Sequence, residues 1–141
     1  MFFGEYTYKV DEKGRTPLPP KFRHEMREGV VLSKGIEKCV RAYPLGEWKR
    51  VADSLAKAVV GAKLRKLNRA IFGSASSVSF DAQGRIALPF SLRNYAEIGD
   101  SVIAVGVNTC VELWDEELWK KEKASSEEQA SAITESLETQ L

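Results

Sequence analysis

At 141 residues, with 43% hydrophobic and 29% charged side chains, the chain is about one domain in length and long enough to bury a core. No apolar run approaches the roughly 20 residues that cross a bilayer, and the opening Met1-Phe2-Phe3-Gly4-Glu5 lacks the basic and apolar regions of a secretory signal, so a soluble cytoplasmic protein is expected. The formal net charge of +1 hides a segregation, residues 34–69 being rich in Lys and Arg and the chain from residue 112 onward rich in acids; for the acidic end, solvated helix faces are the expected explanation.

In chain order, Tyr6-Thr7-Tyr8-Lys9-Val10 alternates and is rich in β-formers, predicting a strand. Asp11-Glu12-Lys13-Gly14 is a turn, because Asp can bond the backbone two residues on and Gly permits positive φ. A second short strand follows, then Pro19-Pro20 suit a first helical turn and Phe22 and Met26 supply an apolar stripe. Val30-Val31-Leu32 and Cys39-Val40-Arg41-Ala42-Tyr43 read as a hairpin joined through Gly35. Residues 46–72 lack Pro and place Trp48, Val51, Leu55 and Val59 at helical spacing, with Gly61 as a break before the helix resumes.

The same order then recurs. Ser76-Ser77-Val78-Ser79-Phe80 is the strand, Asp81-Ala82-Gln83-Gly84 the turn, Pro89 the helix start, and Leu92, Tyr95 and Ala96 the stripe. Val102-Ile103-Ala104-Val105 with Cys110-Val111-Glu112-Leu113-Trp114 is the second hairpin, residues 115–123 the closing helix, and the Ser/Glu/Gln-rich remainder is expected to fray. At an offset of 70 the Asp, Gly, Arg, Leu, Pro and final Arg of residues 11–23 coincide with those of residues 81–93, and after a one-residue slip Gly35, Cys39 and Trp48 match Gly106, Cys110 and Trp119. Similarity kept in order over about 40 residues marks a duplicated supersecondary unit. The predicted organisation is a first repeat over 1–48, a helical connector over 49–71, a second repeat over 72–120 and a polar acidic tail over 121–141. Leu18 and Leu88 are expected to be buried alike.

Each repeat carries Asp-x-x-Gly-Arg. Asp11 and Asp81 are expected to cap their turns, with Gly14 and Gly84 supplying the backbone freedom. Arg15 and Arg85 admit two readings: pairing with those aspartates or a neighbouring repeat, or offering guanidinium donors to phosphate or a guanine edge. Lys9, Lys13, Lys21 and Arg23 lie close by in the first copy, whereas the second has only Arg85 and Arg93. That count makes the first copy the better polyanion contact and the second mainly architectural.

The two Asp-x-x-Gly-Arg motifs, each followed by Leu-Pro, the opening Met1-Phe2-Phe3-Gly4-Glu5, and Tyr43-Pro44-Leu45 with Glu47-Trp48 together resemble the MraZ family over about residues 1–120. Thr16-Pro17 departs from the apolar pair usual in that family, and because Pro cannot donate to a ladder it predicts an irregular second strand in the first copy. The resemblance implies an α+β, mainly β fold of duplicated AbrB-like swapped-hairpin units forming a pseudo-two-fold β-barrel with short helices. It further implies a transcription regulator at the nucleoid, a ring-like homo-oligomer binding double-stranded DNA at repeated promoter elements upstream of its own cell-division and cell-wall gene cluster. The DNA-contacting set expected is Lys9, Lys13, Arg15, Lys21, Arg23 and Arg85.

Other classes are disfavoured on the residues. No nucleophile, His and acid constellation repeats and no phosphate-cradling Gly-rich loop precedes a helix, so no catalytic residue, cofactor or small-molecule substrate is expected. Cys39 and Cys110 lack C-x-x-C spacing and His24 is the sole histidine, so no metal site is expected and both cysteines read as reduced, buried thiols. A non-enzymatic, oligomeric protein-interaction module is the alternative, accounting for the duplication and the near-zero net charge.

Overall fold

In the computed structural model, which describes residues 1–58 and 60–140, the first repeat runs β1 (Glu5–Lys9), β2 (Arg15–Pro17), α1 (Pro20–Glu25), β3 (Val30–Lys34) and β4 (Val40–Pro44). The connector is α2 (Leu45–Ala58) and α3 (Ala62–Leu67), the latter continuing into a π-helical stretch, Asn68–Phe72. Val59, placed by its spacing with Trp48, Val51 and Leu55, lies outside the described residues. The second repeat follows as β5 (Ser76–Val78), β6 (Arg85–Ala87), α4 (Phe90–Tyr95), β7 (Ser101–Gly106) and β8 (Val111–Trp114), and the chain closes in α5 (Glu116–Gln140).

Six strands form one antiparallel sheet in the order β1-β7-β8-β4-β3-β5, and exchanging equivalent strands of the two repeats turns that order into its own reverse. The first strand of each repeat pairs with the other repeat's hairpin: β1 lies on β7 from Glu5 opposite Val105 to Lys9 opposite Ser101, and β5 lies on β3. The hairpins meet in the middle through β4 and β8. The fold is therefore α+β and mainly sheet, but the expected barrel is not formed. β1 and β5 each pair on one side only, while β2 and β6, the strands that could have bridged the gap, pair with each other as a separate two-stranded ribbon. Closure requires ladder bonds all the way round, and here they are absent between the two edges.

Alternation gives the sheet two working faces. On one face Leu32, Val40, Ala42, Val102, Ala104 and Leu113, all essentially inaccessible, pack against Phe22 of α1 and Leu92 of α4 and against Met26 and Ala96, which end those helices, and the ribbon adds Thr16 and Ile86, both fully buried. Leu18 and Leu88, one position beyond each ribbon strand, are 1% and 2% exposed, so the equivalence read from the offset holds in the core. On the opposite face Cys39, Ile103, Val105 and Trp114 form a smaller cluster beneath Leu118 and Trp119 of α5. Here too the repeats correspond: Tyr43 meets Trp48 at 5.4 Å and Trp114 meets Trp119 at 5.6 Å, both with ring planes at 49°. Both cysteines are free thiols, and burial pushes Cys110 up to about 11 and Cys39 higher still.

Arg41 and Glu112 occupy equivalent positions of the two repeats and stand directly opposite each other where β4 meets β8. Identical residues there would set like charges face to face in a mostly buried site. Instead the pair forms an ion pair at 3.2 Å, and the Trp114 indole donates to Glu112 Oε1 at 3.1 Å. Pro17 is tolerated as the last residue of a three-residue strand. The tail departs from expectation: α5 continues as helix to Gln140 where its composition predicted fraying. The segment contains no Gly or Pro and is rich in Ala, Glu and Gln, which favour helix.

Candidate nucleic-acid interface

The ribbon brings the two repeated motifs into one site. Arg15 stands opposite Ala87, Thr16 opposite Ile86, and Pro17 opposite Arg85. Since Thr16 and Ile86 are buried, the alternation assigns Arg15 and Arg85 to the same outward face, diagonal neighbours across the ribbon.

Each turn is built by its aspartate. Asp11 Oδ1 accepts the amides of Lys13 at 2.9 Å and Arg15 at 2.8 Å, its carbonyl accepts the Gly14 amide at 2.9 Å, and its Oδ2 accepts from Arg15 Nε at 2.7 Å. Asp81 repeats the pattern with Gln83, Gly84 and Arg85, the Nε contact being 2.9 Å. The aspartates thus cap their turns, and each arginine makes the Asp–Arg pairing that was one of its two readings. The symmetry is broken at one point, where Arg85 Nη1 also lies 3.7 Å from Asp11 Oδ2, so that Asp11 faces both guanidinium groups. The Arg15 amide, together with the Arg15 guanidinium, holds the Asp11 carboxyl below the usual carboxylate range, and Arg85 does the same for Asp81.

Gly14 and Gly84 have φ of +77° and +75°, which L side chains rarely adopt, and each also receives an arginine from the other repeat. A Cβ on Gly14 would lie 2.7 Å from Arg93 Nε, and one on Gly84 would collide with the Arg23 guanidinium. Those two arginines donate to the carbonyls beside them, Arg23 to Leu18 at 3.1 Å and Arg93 to Leu88 at 2.9 Å, and the Leu88 amide donates to the Gly14 carbonyl at 2.8 Å. Gly14→Ala is accordingly expected to destabilise the fold by roughly 1–2 kcal/mol from the backbone alone, and by more if Arg93 cannot withdraw. A lowered urea midpoint with unchanged slope is the result to look for, and an unchanged midpoint would contradict the packing described.

Of the residues singled out by sequence, Arg15 and Arg85 are brought together with Asp11 and Asp81. Lys13 is exposed in the first turn, Lys9 at the end of β1 and Lys21 on α1. Arg23 is part of the bracing between repeats and spends a donor on Leu18. Its counterpart Arg93, counted in the sequence only as a repeated basic residue of the second copy, has the same part, and the recurrence of Gly and Arg nine residues apart in both motifs was the available signal. Among the described residues no group of His, Cys, Asp and Glu is arranged to hold a metal ion, and no helix is long and apolar enough to cross a membrane.

An α+β, mainly sheet chain with its two Asp-x-x-Gly-Arg turns joined in one ribbon is the class of protein the structure defines, and sequence comparison gives the family. The family model described as "MraZ protein, putative antitoxin-like" matches residues 1–67 and 71–140. The transcriptional regulator MraZ of Dehalococcoides mccartyi is 52% identical over 140 residues, covering 98% of this chain and 99% of that one. Those of Clostridium acetobutylicum and Roseiflexus castenholzii are 40% identical over 127 residues, 89% of each chain, and 36% identical over 138 residues, 97% and 96% respectively. The chain belongs to the MraZ family.

Proposed function

We propose that this chain is a sequence-specific DNA-binding transcription regulator that reads double-stranded DNA with the β2–β6 ribbon. The observation that carries the reading is the placement of Arg15 and Arg85 on one outward face, each with Nε tied to its own aspartate. Guanidinium groups tied through Nε in this way leave Nη donors for a guanine edge or a phosphate, although Arg85 Nη1 also lies 3.7 Å from Asp11 Oδ2. A two-stranded ribbon fits the major groove, and Lys9, Lys13 and Lys21 supply phosphate contacts around it, with Arg23 at the base of the turns. The relatives' printed name, transcriptional regulator, supports the same reading.

The exchange of first strands fits duplicated AbrB-like swapped hairpins related by a pseudo-two-fold axis. The family resemblance extends the reading to a ring-like homo-oligomer at the nucleoid, acting on repeated elements upstream of its own cell-division and cell-wall gene cluster. One ribbon makes few contacts, so several ribbons in one assembly raise affinity through effective concentration when their spacing matches the repeats. No catalytic residue, cofactor or small-molecule substrate belongs to this reading.

The test is a titration onto the gene's own upstream DNA and a scrambled duplex of equal length at several salt concentrations. Upstream DNA is expected to bind at least about a thousandfold more tightly, with both affinities falling as salt rises. Equal affinity for the two duplexes overturns sequence specificity. Failure to bind either leaves the interaction module as the better account.

A further inference from the structure

The ribbon that carries Arg15 and Arg85 has residue pairs only from Arg15 to Pro17, and a two-stranded ribbon of that size is marginal in water by itself. What holds its two turns lies beneath them. Arg23 belongs to α1 of the first repeat, where its Nη1 donates to the Leu18 carbonyl at 3.1 Å, yet its guanidinium lies against the turn of the second repeat: a Cβ built on Gly84 would come within 2.7 Å of Cζ. Arg93 of α4 does the converse, its Nε donating to the Leu88 carbonyl at 2.9 Å while a Cβ on Gly14 would come within 2.8 Å of Cζ. The Leu18 and Leu88 side chains are locked in the core, so each guanidinium is rooted on a rigid carbonyl of its own repeat. The Arg93 guanidinium also lies over the Phe90 ring, 5.7 Å from its centroid. Both arginines are half-buried, and the residue after each glycine is one of the outward pair, Arg15 after Gly14 and Arg85 after Gly84.

We infer that Arg23 and Arg93 are positioning residues for DNA readout, each holding the turn of the opposite repeat, so that Arg23 sets Arg85 and Arg93 sets Arg15. The inference rests on the ribbon reading proposed above and adds a crossed dependence to it. Two guanidinium groups read separate base edges only when the backbone beneath them is held to within about 0.5 Å. A planar guanidinium fits the slot between a glycine turn and a carbonyl anchor, whereas a lysine ammonium on its flexible stem carries the same charge without filling it. Positioning of this kind differs from a phosphate contact, whose loss weakens binding to every duplex alike and lowers the salt slope.

The experiment is a titration of the full chain onto upstream and scrambled duplexes at several salt concentrations, with urea midpoints measured alongside. The variants are Arg23→Lys and Arg93→Lys, each alone and combined with Arg15→Ala or with Arg85→Ala. Each lysine variant is expected to lower the ratio of upstream to scrambled affinity by about tenfold, leaving the scrambled affinity and the salt slope as in wild type. The losses should be crossed. Added to Arg85→Ala, Arg23→Lys should cost less than about twofold more, whereas added to Arg15→Ala it should keep its full effect, and Arg93→Lys should show the reverse. Should Arg23→Lys unfold the chain, Arg93→Lys puts the same question from the other side. Lysine variants that discriminate like wild type, while the alanine variants do not, overturn the positioning role alone. A fall in both affinities with a slope smaller by about one counterion per engaged ribbon makes the arginine a phosphate contact, and a fall in both that tracks a lowered urea midpoint makes it a brace of the fold only; either overturns the inference. So does an effect of equal size in the two alanine backgrounds. Wild type that does not discriminate, or alanine variants that still do, overturn the ribbon reading and this inference with it.

Discussion

Arg15→Ala is expected to cost roughly 1–3 kcal/mol of discrimination between upstream and scrambled DNA if the guanidinium reads a guanine edge, and to flatten the salt dependence by about one counterion per engaged ribbon if it holds a phosphate. Arg85→Ala should produce a loss of the same order. The count of basic residues favoured the first copy alone, but the ribbon sets the two arginines diagonally on a single face, so a duplex meeting one meets the other. The measurement is a binding titration of wild type and both variants at several salt concentrations, with sedimentation to verify that assembly size is unchanged. A loss confined to Arg15→Ala would restore the second repeat to a purely architectural part. Undiminished binding by both variants would remove the ribbon from the DNA interface altogether.

Asp11→Asn should act in two directions at once. Asp11 Oδ2 bonds Arg15 and lies 3.7 Å from Arg85, whereas Asp81 serves its own arginine only. Asparagine keeps the acceptor oxygen but removes the negative charge, so binding to scrambled DNA should strengthen severalfold while discrimination falls, because the guanidinium groups are freer and the repulsion of phosphates is gone. Asp81→Asn should show the same pattern more weakly. If both variants merely lose affinity for every duplex in step with lost stability, the aspartates are turn caps and nothing more. The direction of the pH effect follows from the lowered carboxyls: the Asp–Arg pairing is intact above the ordinary carboxylate range and is lost only as pH falls through the still lower folded value. Discrimination should therefore hold between about pH 5 and 8 as far as these groups govern it.

The turns, the strand positions and the burial of Leu18 and Leu88 were legible because they follow from local signals: period-2 alternation, Asp-x-x-Gly chemistry and the offset of 70. Which strand pairs with which was not. Tyr6 and Tyr8 carry the same alternation whether β1 lies on its own hairpin or on the other repeat's, and in a duplicated chain both partners offer nearly equivalent edges. The same ambiguity hid the encounter of Gly14 with Arg93 and of Gly84 with Arg23, contacts between residues some 60 to 80 positions apart. The open sheet was missed because closure depends on whether β2 and β6 join the sheet or each other, a choice no local pattern records. For α5, low hydrophobicity argued against order, whereas helix propensity and the absence of Gly and Pro decided the backbone.

The trade of first strands also bears on how the molecule comes into being. β1 finds its partner only when residues 101–106 exist, and β2 only when residues 85–87 do, so neither repeat can be completed from its own stretch of chain. During synthesis the first 70 or so residues lack the strands that β1 and β2 pair with in the finished fold. A polypeptide cut short after about residue 70 has no partner for β2 and so no paired turns. A prematurely terminated product therefore lacks the β2–β6 ribbon altogether.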